Sequence, residues 1–355
     1  MNEKKKIIAF GVAGEGRGHA ARAIALSEIL QDYFDIFIFA PSSISDFLSS
    51  KLYNIEIIEI PGINFHKENH VIKYHKTLMK NLTNIGRVHP EVKKITELMR
   101  NIGVDAVVSD FEPYTAIAAS FLNLPVLNLN HPGVVLRYFS LKPDALAARL
   151  AARIMMPSGT QELICSFYGG DIGPIIRKEI KSKEPFRGNY YVIYTKEESR
   201  TAVLKALECF PDVNFRVFPN QQEDFTEALI GCKGVISSSG HQMLSEALYL
   251  RKPILAFPQK MQFEQRLNAI MLERSGRGLH GDINHIERSL QEFIEAIDSF
   301  PMSPATHDHF LFTDFTQAAA NCIRNFVIQN DPAYTTKQIG GFKYRKNRPV
   351  QVKPA

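Results

Sequence analysis

Buried strands alternate with helices along most of this chain, and the alternation restricts its fold more than any other feature. In the first half, apolar runs such as KKIIAFGVA, FDIFIFAP and DAVVSDF predict strands, and the amphipathic segments between them predict helices. Parallel strands need crossover connections of this kind, and the connecting helices then cover both faces of the sheet. The sequence therefore predicts an α/β protein with doubly wound parallel sheets.

The alternation is interrupted once and then starts again. Residues 168–188 are rich in glycine, proline and charge, which is typical of a linker. We expect two Rossmann-like domains of similar size, residues 1–167 and 189–330, with the last helix packing back onto the first domain. Ligands of open α/β sheets bind beyond the carboxyl ends of the strands, so two such domains are expected to face a central cleft.

Net charge limits the partners of the chain. The formal net charge is +5, and residues 331–355 account for all of it, because this stretch has Asp331 as its one acidic residue and six basic ones: Lys337, Lys343, Arg345, Lys346, Arg348 and Lys353. The balanced body gives no reason to expect nucleic acid. The polar tail is predicted to be disordered, with contact to an acidic surface as the alternative.

The four cysteines are scattered without the spacing of a metal site or a disulfide framework, and we predict neither a metal nor a cofactor. The N-terminus lacks the apolar stretch of a signal peptide, and no run approaches the ~18 apolar residues of a membrane span. We expect a cytoplasmic protein, at most peripheral at the inner face of the membrane.

A glycine-rich loop joins the first strand to the first helix in FGVAGEGRGHAARAIALSEIL, residues 10–30. It lacks the Lys-Ser/Thr pair of a P-loop. Its spacing, with Gly14, Gly16 and Gly18, also differs from a dinucleotide fingerprint, and the second strand lacks the acidic end that would hold a ribose. Two interpretations remain: a tight structural turn, or a turn that presents Arg17, His19 and a helix N-terminus to a polar substrate.

A second polar turn lies in GVISSSGHQMLSEALYLRKPILAFPQKMQFEQRLNA, residues 234–269. A strand ends in Ser237, Ser238, Ser239 and Gly240, and a helix starts near His241. The free N–H groups of such a helix start, with the hydroxyls beside them, suit a diphosphate. Glu246 follows in the helix, where a carboxylate can accept hydrogen bonds from a ribose diol or remain solvated.

This stretch resembles the donor-binding signature H-C-G-x-N-S-x-x-E…D-Q of nucleotide-sugar glycosyltransferases with the GT-B fold, in the family-1-like or MurG-like subgroup. Gly240 and Glu246 match the glycine and the ribose-binding glutamate, and Glu264 and Gln265 stand for the sugar-contacting Asp-Gln. Ser238 replaces the histidine, as in the peptidoglycan lipid-linked N-acetylglucosaminyltransferase. The contact with the diphosphate therefore falls to Ser238, Ser239 or His241.

The N-terminal segments resemble the same superfamily, so the resemblance covers both domains, about residues 6 to 328. GEGRGHAAR is similar to its G-x-G-x-G-H loop, and VVSDFEPYTAIAAS is similar to the segment that supplies an aspartate partner for the histidine. The resemblance implies that His19 is a general base, because the ordinary pKa of histidine lies close to neutral, and that Asp110 orients it. Glu112 is the alternative partner, and Asp110 is alternatively a cap for the helix near Pro113.

The function implied by the resemblance is inverting, metal-independent glycosyl transfer of the hexosyltransferase type. The donor is a nucleotide-sugar, with a UDP-sugar expected, and the acceptor is a hydroxyl of a small molecule, a glycan or a lipid-linked, cell-envelope compound. The alternatives are a nucleotide-sugar 2-epimerase or hydrolase with the same fold, and a protein that binds a nucleotide-sugar without chemistry.

Overall fold

A computed structural model describes residues 5–63, 67–68, 71–72, 85–157, 159–195, 197–220, 222–301, 309–331 and 350–351. The chain divides into two compact units. The first comprises Met1–His66, Lys73–Ile175 and Phe315–Ala355, and the second comprises Lys67–Ile72 and Ile176–Asp314. The change of unit at residue 175 falls inside the linker predicted at 168–188.

The strands are β1 (Lys6–Val12), β2 (Phe34–Ala40), β3 (Glu56–Glu59), β4 (Lys67–Glu68), β5 (Val71–Ile72), β6 (Ala106–Asp110), β7 (Val126–Asn130), β8 (Tyr138–Phe139), β9 (Gln161–Ile164), β10 (Tyr191–Tyr194), β11 (Phe215–Phe218), β12 (Gly234–Ser238), β13 (Ile254–Phe257), β14 (Gly278–His280) and β15 (Val350–Gln351).

The α-helices are α1 (Gly18–Leu30), α2 (Ser42–Ser49), α3 (Ile85–Ile102), α4 (Pro113–Phe121), α5 (Pro143–Met155), α6 (Lys178–Lys181), α7 (Glu197–Leu207), α8 (Phe225–Gly231), α9 (His241–Tyr249), α10 (Phe263–Arg274), α11 (Ile286–Ala296), α12 (His309–Phe312) and α13 (Thr316–Gln329). A 3₁₀ helix spans Pro132–Leu136.

The first unit is built on a six-stranded parallel sheet with the order β3-β2-β1-β6-β7-β9. The chain moves outward from β1 to β3 and then returns to place β6 on the other side of β1. Such a reversal is a topological switch point, the place where open α/β sheets bind ligands. There Val12 pairs with Asp110, and each is the last residue of its strand.

The second unit contains a five-stranded parallel sheet with the order β11-β10-β12-β13-β14. Its strand order reverses between β10 and β12, where Tyr194 pairs with Ser237. The serine-rich turn therefore begins at the switch point of its own sheet. The two parallel sheets confirm the predicted α/β class and doubly wound architecture.

Alternate residues of β1 face opposite sides of the first sheet, as the two-residue period of a strand requires. Ile8 and Phe10 belong to one buried cluster, which includes residues of α1 and α13. Ile7 and Ala9 belong to another, which includes residues of α3 and α4. Helices thus cover both faces of the sheet, and this burial fixes the strand whose end carries the glycine loop.

The last helix, α13, belongs to the first unit. It packs against α1, and its inward residues Ala319, Ile323 and Phe326 complete the cluster that contains α1. Of the basic tail, the described residues are Asp331, which pairs with Lys6 at 2.8 Å, and β15, which pairs with β8. The predicted disorder of the remaining tail falls outside the described residues. Within the described ranges, no helix has the length and apolar character needed to span a membrane.

Candidate active site

The glycine-rich loop follows the carboxyl end of β1. Gly14 and Gly16 are each required for a different structural reason. Gly16 has a φ of 75°, in the left-handed region that favours glycine. Gly14 lies against Pro41, whose Cγ would stand 2.9 Å from a Cβ on this residue. Gly14 therefore permits close packing within the unit, and Gly16 permits the turn itself.

The loop places the start of α1 at the switch point of the first sheet. Gly18 opens the helix, and Arg17 precedes it as an exposed N-cap residue without a side-chain cap hydrogen bond. The Arg17 guanidinium lies over the Phe47 ring, 4.9 Å from the centroid. His19 follows in the first turn, largely buried, with 11% of its side chain exposed.

His19, Asp110 and Arg22 form one hydrogen-bonded cluster. The Nδ1 atom of His19 lies 2.8 Å from Oδ1 of Asp110 and 2.9 Å from Nη2 of Arg22. Arg22 donates from Nε to Oδ2 and from Nη2 to Oδ1 of the same carboxylate, each at 2.9 Å. The Asp110 carboxylate is fully buried, and Arg22 is 3% exposed. The structure thus brings the two predicted residues together and adds an arginine that the sequence analysis missed.

Arg22 and His19 determine the charge state of Asp110. Burial alone raises the pKa of this carboxyl, but the Arg22 guanidinium and the His19 ring outweigh burial and hold the pKa below its ordinary value. Asp110 is therefore a carboxylate at neutral pH. The carboxylate beside Nδ1 favours a proton on that atom, whereas Arg22 Nη2, which can only donate, favours a lone pair there. In the tautomer that the carboxylate favours, Nε2 carries the lone pair and can accept a proton.

Glu112 is an N-cap residue and does not pair with His19. Its carboxylate accepts hydrogen bonds from the backbone of Tyr114 at 2.7 Å and of Thr115 at 2.9 Å, at the start of α4. Its burial raises its pKa to about 7, although hydrogen bonds from Thr115 and Tyr114 oppose the rise. The helix near Pro113 is thus capped by Glu112, and the geometry supports neither Glu112 as the partner of His19 nor Asp110 as the cap.

We expect Glu112→Ala to lower the free energy of unfolding by about 0.5–2 kcal/mol, the usual effect of losing an N-cap. Glu112→Gln keeps an acceptor oxygen for the helix and should lower it less. Both variants should turn over substrate within a small factor of the wild type, measured beside chemical denaturation. A large loss of turnover in Glu112→Gln would contradict a purely structural role.

In the second unit, the end of β12 leads directly into α9. Gly240 is the N-cap residue and has no side-chain cap, and a Cβ on it would meet no atom within 4 Å. No side chain therefore blocks the N-terminus of α9. This N-terminus is the positive end of the helix dipole and can attract an anion. This geometry leaves room for a phosphate group beside Gly240.

The side chains predicted to touch a diphosphate differ in their surroundings. Ser237 donates to the carbonyl of Ser238 at 2.7 Å. The buried Ser239 hydroxyl has no hydrogen-bond partner among the described residues, whereas the Ser239 carbonyl accepts from Asn268 at 2.9 Å. His241 is buried, with Nε2 3.2 Å from the Ser245 hydroxyl. The Ser239 hydroxyl is thus without a partner but fully buried, Ser238 is 6% exposed, and Nε2 of His241 faces its own helix.

Glu246 is nearly fully buried in a network of hydrogen bonds. Arg177 donates from Nε and Nη2 to its two carboxylate oxygens, each at 2.7 Å, and Gln242 donates to Oε1 at 2.9 Å. Glu246 is 2% exposed, so it is not the solvated helix residue that the sequence left open. Arg177 lies within the predicted linker, and its role was not predicted.

The last two predicted donor residues begin α10. Gln265 is buried and accepts from the backbone N–H of Gln259 at 2.9 Å, and its amide lies 3.2 Å from the Gln259 side chain. Glu264 is half-buried in the first turn. Gln265 thus has a fixed orientation that holds the loop after β13. Among the residues that the structure describes, no group of His, Cys, Asp and Glu side chains is arranged to hold a metal ion.

The fold has counterparts in known proteins. An uncharacterized glycosyltransferase of Methanosarcina acetivorans is 24% identical over 333 residues, which cover 77% of this chain and 84% of that protein. The crystal structure of Acinetobacter baumannii MurG matches with a TM-score of 0.56 at 14% identity, covering 91% of this chain and 100% of that chain. The calicheamicin glycosyltransferase CalG4 matches with a TM-score of 0.60 at 13% identity, covering 93% and 100%.

These structural likenesses concern the fold, which is the GT-B architecture predicted from the sequence. The sequence profile of glycosyl transferase family 1 matches residues 6–298, which include the glycine loop, Asp110 and the donor-binding segment. The match covers far more than half of the chain. This protein is therefore a glycosyltransferase that belongs to glycosyl transferase family 1.

Proposed function

We propose that the protein is an inverting glycosyltransferase in which His19 is the general base. The observation that carries the proposal is the buried hydrogen bond between His19 Nδ1 and Asp110, because it leaves Nε2 free to take a proton. The acceptor hydroxyl loses its proton to Nε2 as its oxygen forms a bond to the anomeric carbon. The bond from that carbon to the diphosphate breaks, and the nucleoside diphosphate leaves with the electron pair. Direct displacement of this kind inverts the anomeric centre.

The departing diphosphate is stabilised by the second unit. The open start of α9 at Gly240 offers N–H groups and the positive end of a helix, and the Ser239 hydroxyl lies beside it without a partner among the described residues. These groups supply the electrostatic stabilisation for which other enzymes use a divalent cation. The proposal therefore includes transfer of a hexose without a metal or a resident cofactor.

Glu246 holds the ribose of the donor in this proposal. Its two oxygens are fixed by Arg177, so the carboxylate is oriented before the donor arrives. Because Oε1 also accepts from Gln242, Oε2 is the oxygen that keeps a second lone pair for the ribose. Arg177 thus serves as a positioning residue for the ribose contact. Glu264 and Gln265 contact the sugar, as the resemblance in the donor segment implies.

The donor in this proposal is a UDP-sugar. Among the structural relatives, one is a UDP-glucosyltransferase from Polygonum tinctorium, and a rhamnosyltransferase was solved in complex with thymidine diphosphate. The acceptor is a small-molecule, glycan or lipid-linked hydroxyl, and the serine-containing donor segment supports the lipid-linked, cell-envelope form. The protein then acts in the cytoplasm, with peripheral contact at the inner face of the membrane.

The ribose assignment is tested with a matched pair of ligands, UDP and 2′-deoxy-UDP, titrated by calorimetry. We expect the wild type to prefer UDP by about 1–3 kcal/mol, because the deoxy ligand leaves a buried carboxylate lone pair unused. Glu246→Gln should lose most of this preference, while the exposed Glu295→Gln should keep it. An equal preference in the wild type and in a folded Glu246→Gln would contradict the assignment.

A further inference from the structure

One segment of the first unit concentrates the exposed apolar side chains. Twelve large apolar side chains are exposed in the described part of the chain, and five of them fall within sixteen residues, between 139 and 154. We name this group the α5 surface: Phe139, Leu141, Leu146, Leu150 and Ile154, which are 39–76% exposed. Single exposed apolar residues are normal, but a contiguous group on one element marks an interaction surface.

The periodicity of α5 places these residues on one stripe. Leu146, Leu150 and Ile154 are spaced by four, so they lie one above the other on the outer side of the helix. The opposite side, with Ala145, Ala148, Ala152 and Met155, is buried in the unit. The helix thus has two apolar faces. One is buried in the unit, and the other is exposed.

Arg149 connects α5 to the segment that carries Phe139. This guanidinium donates from Nη1 to the carbonyls of Val135, Leu136 and Tyr138, at 3.0–3.1 Å, and its centre lies 6.0 Å from the Phe139 ring centroid. These bonds tie the segment that carries Phe139 to the helix that carries the stripe. The surface is therefore preformed, and its Phe139 end does not depend on a partner to be positioned.

The exposed charges of the segment that carries the stripe have a single sign. Between residues 139 and 161, Lys142 and Arg153 are exposed, whereas Asp144, the one carboxylate of this segment, is 3% exposed. The basic tail contributes a described strand at the same place, because Gln351 of β15 pairs with Phe139 of β8. Apolar side chains flanked by cations, without an exposed carboxylate, are complementary to an anionic lipid surface.

We propose that the α5 surface binds the surface of an anionic lipid bilayer, with α5 lying along the membrane plane and its leucine stripe among the acyl chains. The cations at either end of the stripe remain at the level of the lipid phosphates. A protein partner of defined shape would be expected to meet exposed groups of both signs, whereas the segment from 139 to 161 exposes cations and apolar side chains. The inference does not depend on the chemistry of His19, and it gives the enzyme a place where lipid-linked acceptors are concentrated.

Flotation of the full chain with lipid vesicles tests the proposal. The probes are vesicles of phosphatidylcholine alone and of phosphatidylcholine mixed with phosphatidylserine. Binding should be tighter to the anionic vesicles and should weaken as salt is raised, because exposed charges are screened. Equal binding to both vesicle types, or no binding to either, would overturn the proposal.

Substitutions distinguish binding through the α5 surface from nonspecific hydrophobic binding. Leu146→Ser with Leu150→Ser should weaken vesicle binding about tenfold or more, since burial of each half-exposed leucine contributes. Tyr53→Ser with Phe121→Ser removes two apolar side chains elsewhere on the unit that are more exposed than the leucines, at 86% and 64%, and it should change binding little. Lys142→Gln with Arg153→Gln should weaken binding to anionic vesicles alone, by about fivefold per cation.

The same leucine variant distinguishes the membrane from a second copy of the chain. Sedimentation of the lipid-free protein should show the same monomeric mass for the wild type and for Leu146→Ser with Leu150→Ser. A wild-type dimer that the leucine variant dissociates, with vesicle binding unchanged, would assign the surface to self-association instead. Glycosyl transfer to a water-soluble acceptor should be equal in the wild type and in the leucine variant. Vesicle binding is measured without turnover, so it can be interpreted even if the proposed chemistry is wrong.

Discussion

Replacing His19 with alanine is expected to lower kcat by about 10²–10⁴, the usual contribution of a positioned general base. The cause is specific: Asp110, 2.8 Å from Nδ1, favours the tautomer in which Nε2 takes the proton, and alanine offers no atom that can take it. The affinity for the nucleoside diphosphate should change little, because the donor residues belong to the other compact unit. The measurements are initial rates with a saturating donor and calorimetric binding of UDP.

The control for His19→Ala is the exposed His285→Ala, which should keep normal turnover. Asp110→Asn should also lower kcat, because a neutral amide no longer selects the productive tautomer as strongly. The double variant should fall well short of the product of the two losses, because residues that act as a unit are not additive. Near-normal turnover of a folded His19→Ala would remove His19 from the mechanism.

Replacing Arg22 with methionine is expected to lower the free energy of unfolding of the first unit by about 3–5 kcal/mol, the typical effect of breaking a buried ion pair. Methionine fills similar volume but leaves the fully buried Asp110 with His19 as its remaining polar partner in the cluster. Arg22→Met with Asp110→Asn removes the stranded charge and should recover much of the loss. The exposed Arg153→Met is the matched control, and urea denaturation is the measurement.

The pH dependence of this loss has a definite sign. In the wild type the pKa of Asp110 lies below its ordinary 3.8, so its contribution to stability is fully present above that value and is lost as the pH falls through the lowered pKa. In Arg22→Met the larger of the two neighbouring cationic influences is gone, so we expect burial to raise the pKa of Asp110. The folded variant then binds a proton more tightly than the unfolded chain, and its stability falls as the pH rises above 3.8. The deficit relative to the wild type should therefore be larger at neutral than at acid pH, and the opposite order would contradict the cluster.

Local patterns predicted the fold because each parallel strand and its crossover helix leave a signature in a short stretch of sequence. The glycine loop after β1 and the serine turn after β12 could be placed at strand ends for the same reason. The pairing of His19 with Asp110 was expected from the family resemblance. The structure hydrogen-bonds them, because β1 and β6 are neighbouring parallel strands whose carboxyl ends share one edge.

Arg22 and Arg177, which hold Asp110 and Glu246, could not be predicted from local sequence patterns. Arg22 follows His19 by three residues, so it shares its helix face, and this spacing is the one local signal that it gave. Arg177 reaches Glu246 across 69 residues of chain, and no local pattern encodes that pairing. Whether Glu112 or Asp110 would cap α4 depended on the direction of each carboxylate after a turn in which Phe111 has a φ of 59°. Side-chain direction at such a turn is a tertiary property.

The return of α13 to the first unit affects the order in which the chain can fold during synthesis. A ribosome makes the strands of the first sheet early, yet the cluster on one face of that sheet lacks Ile323 and Phe326 until nearly all of the chain has emerged. The second unit, apart from β4 and β5, is continuous from Ile176 to Asp314, and its two ends meet where the Ile176 N–H donates to Asp314 at 3.2 Å. The nascent chain can therefore close its later-made unit first, while its earlier-made unit still exposes apolar surface and depends on the last helix to cover it.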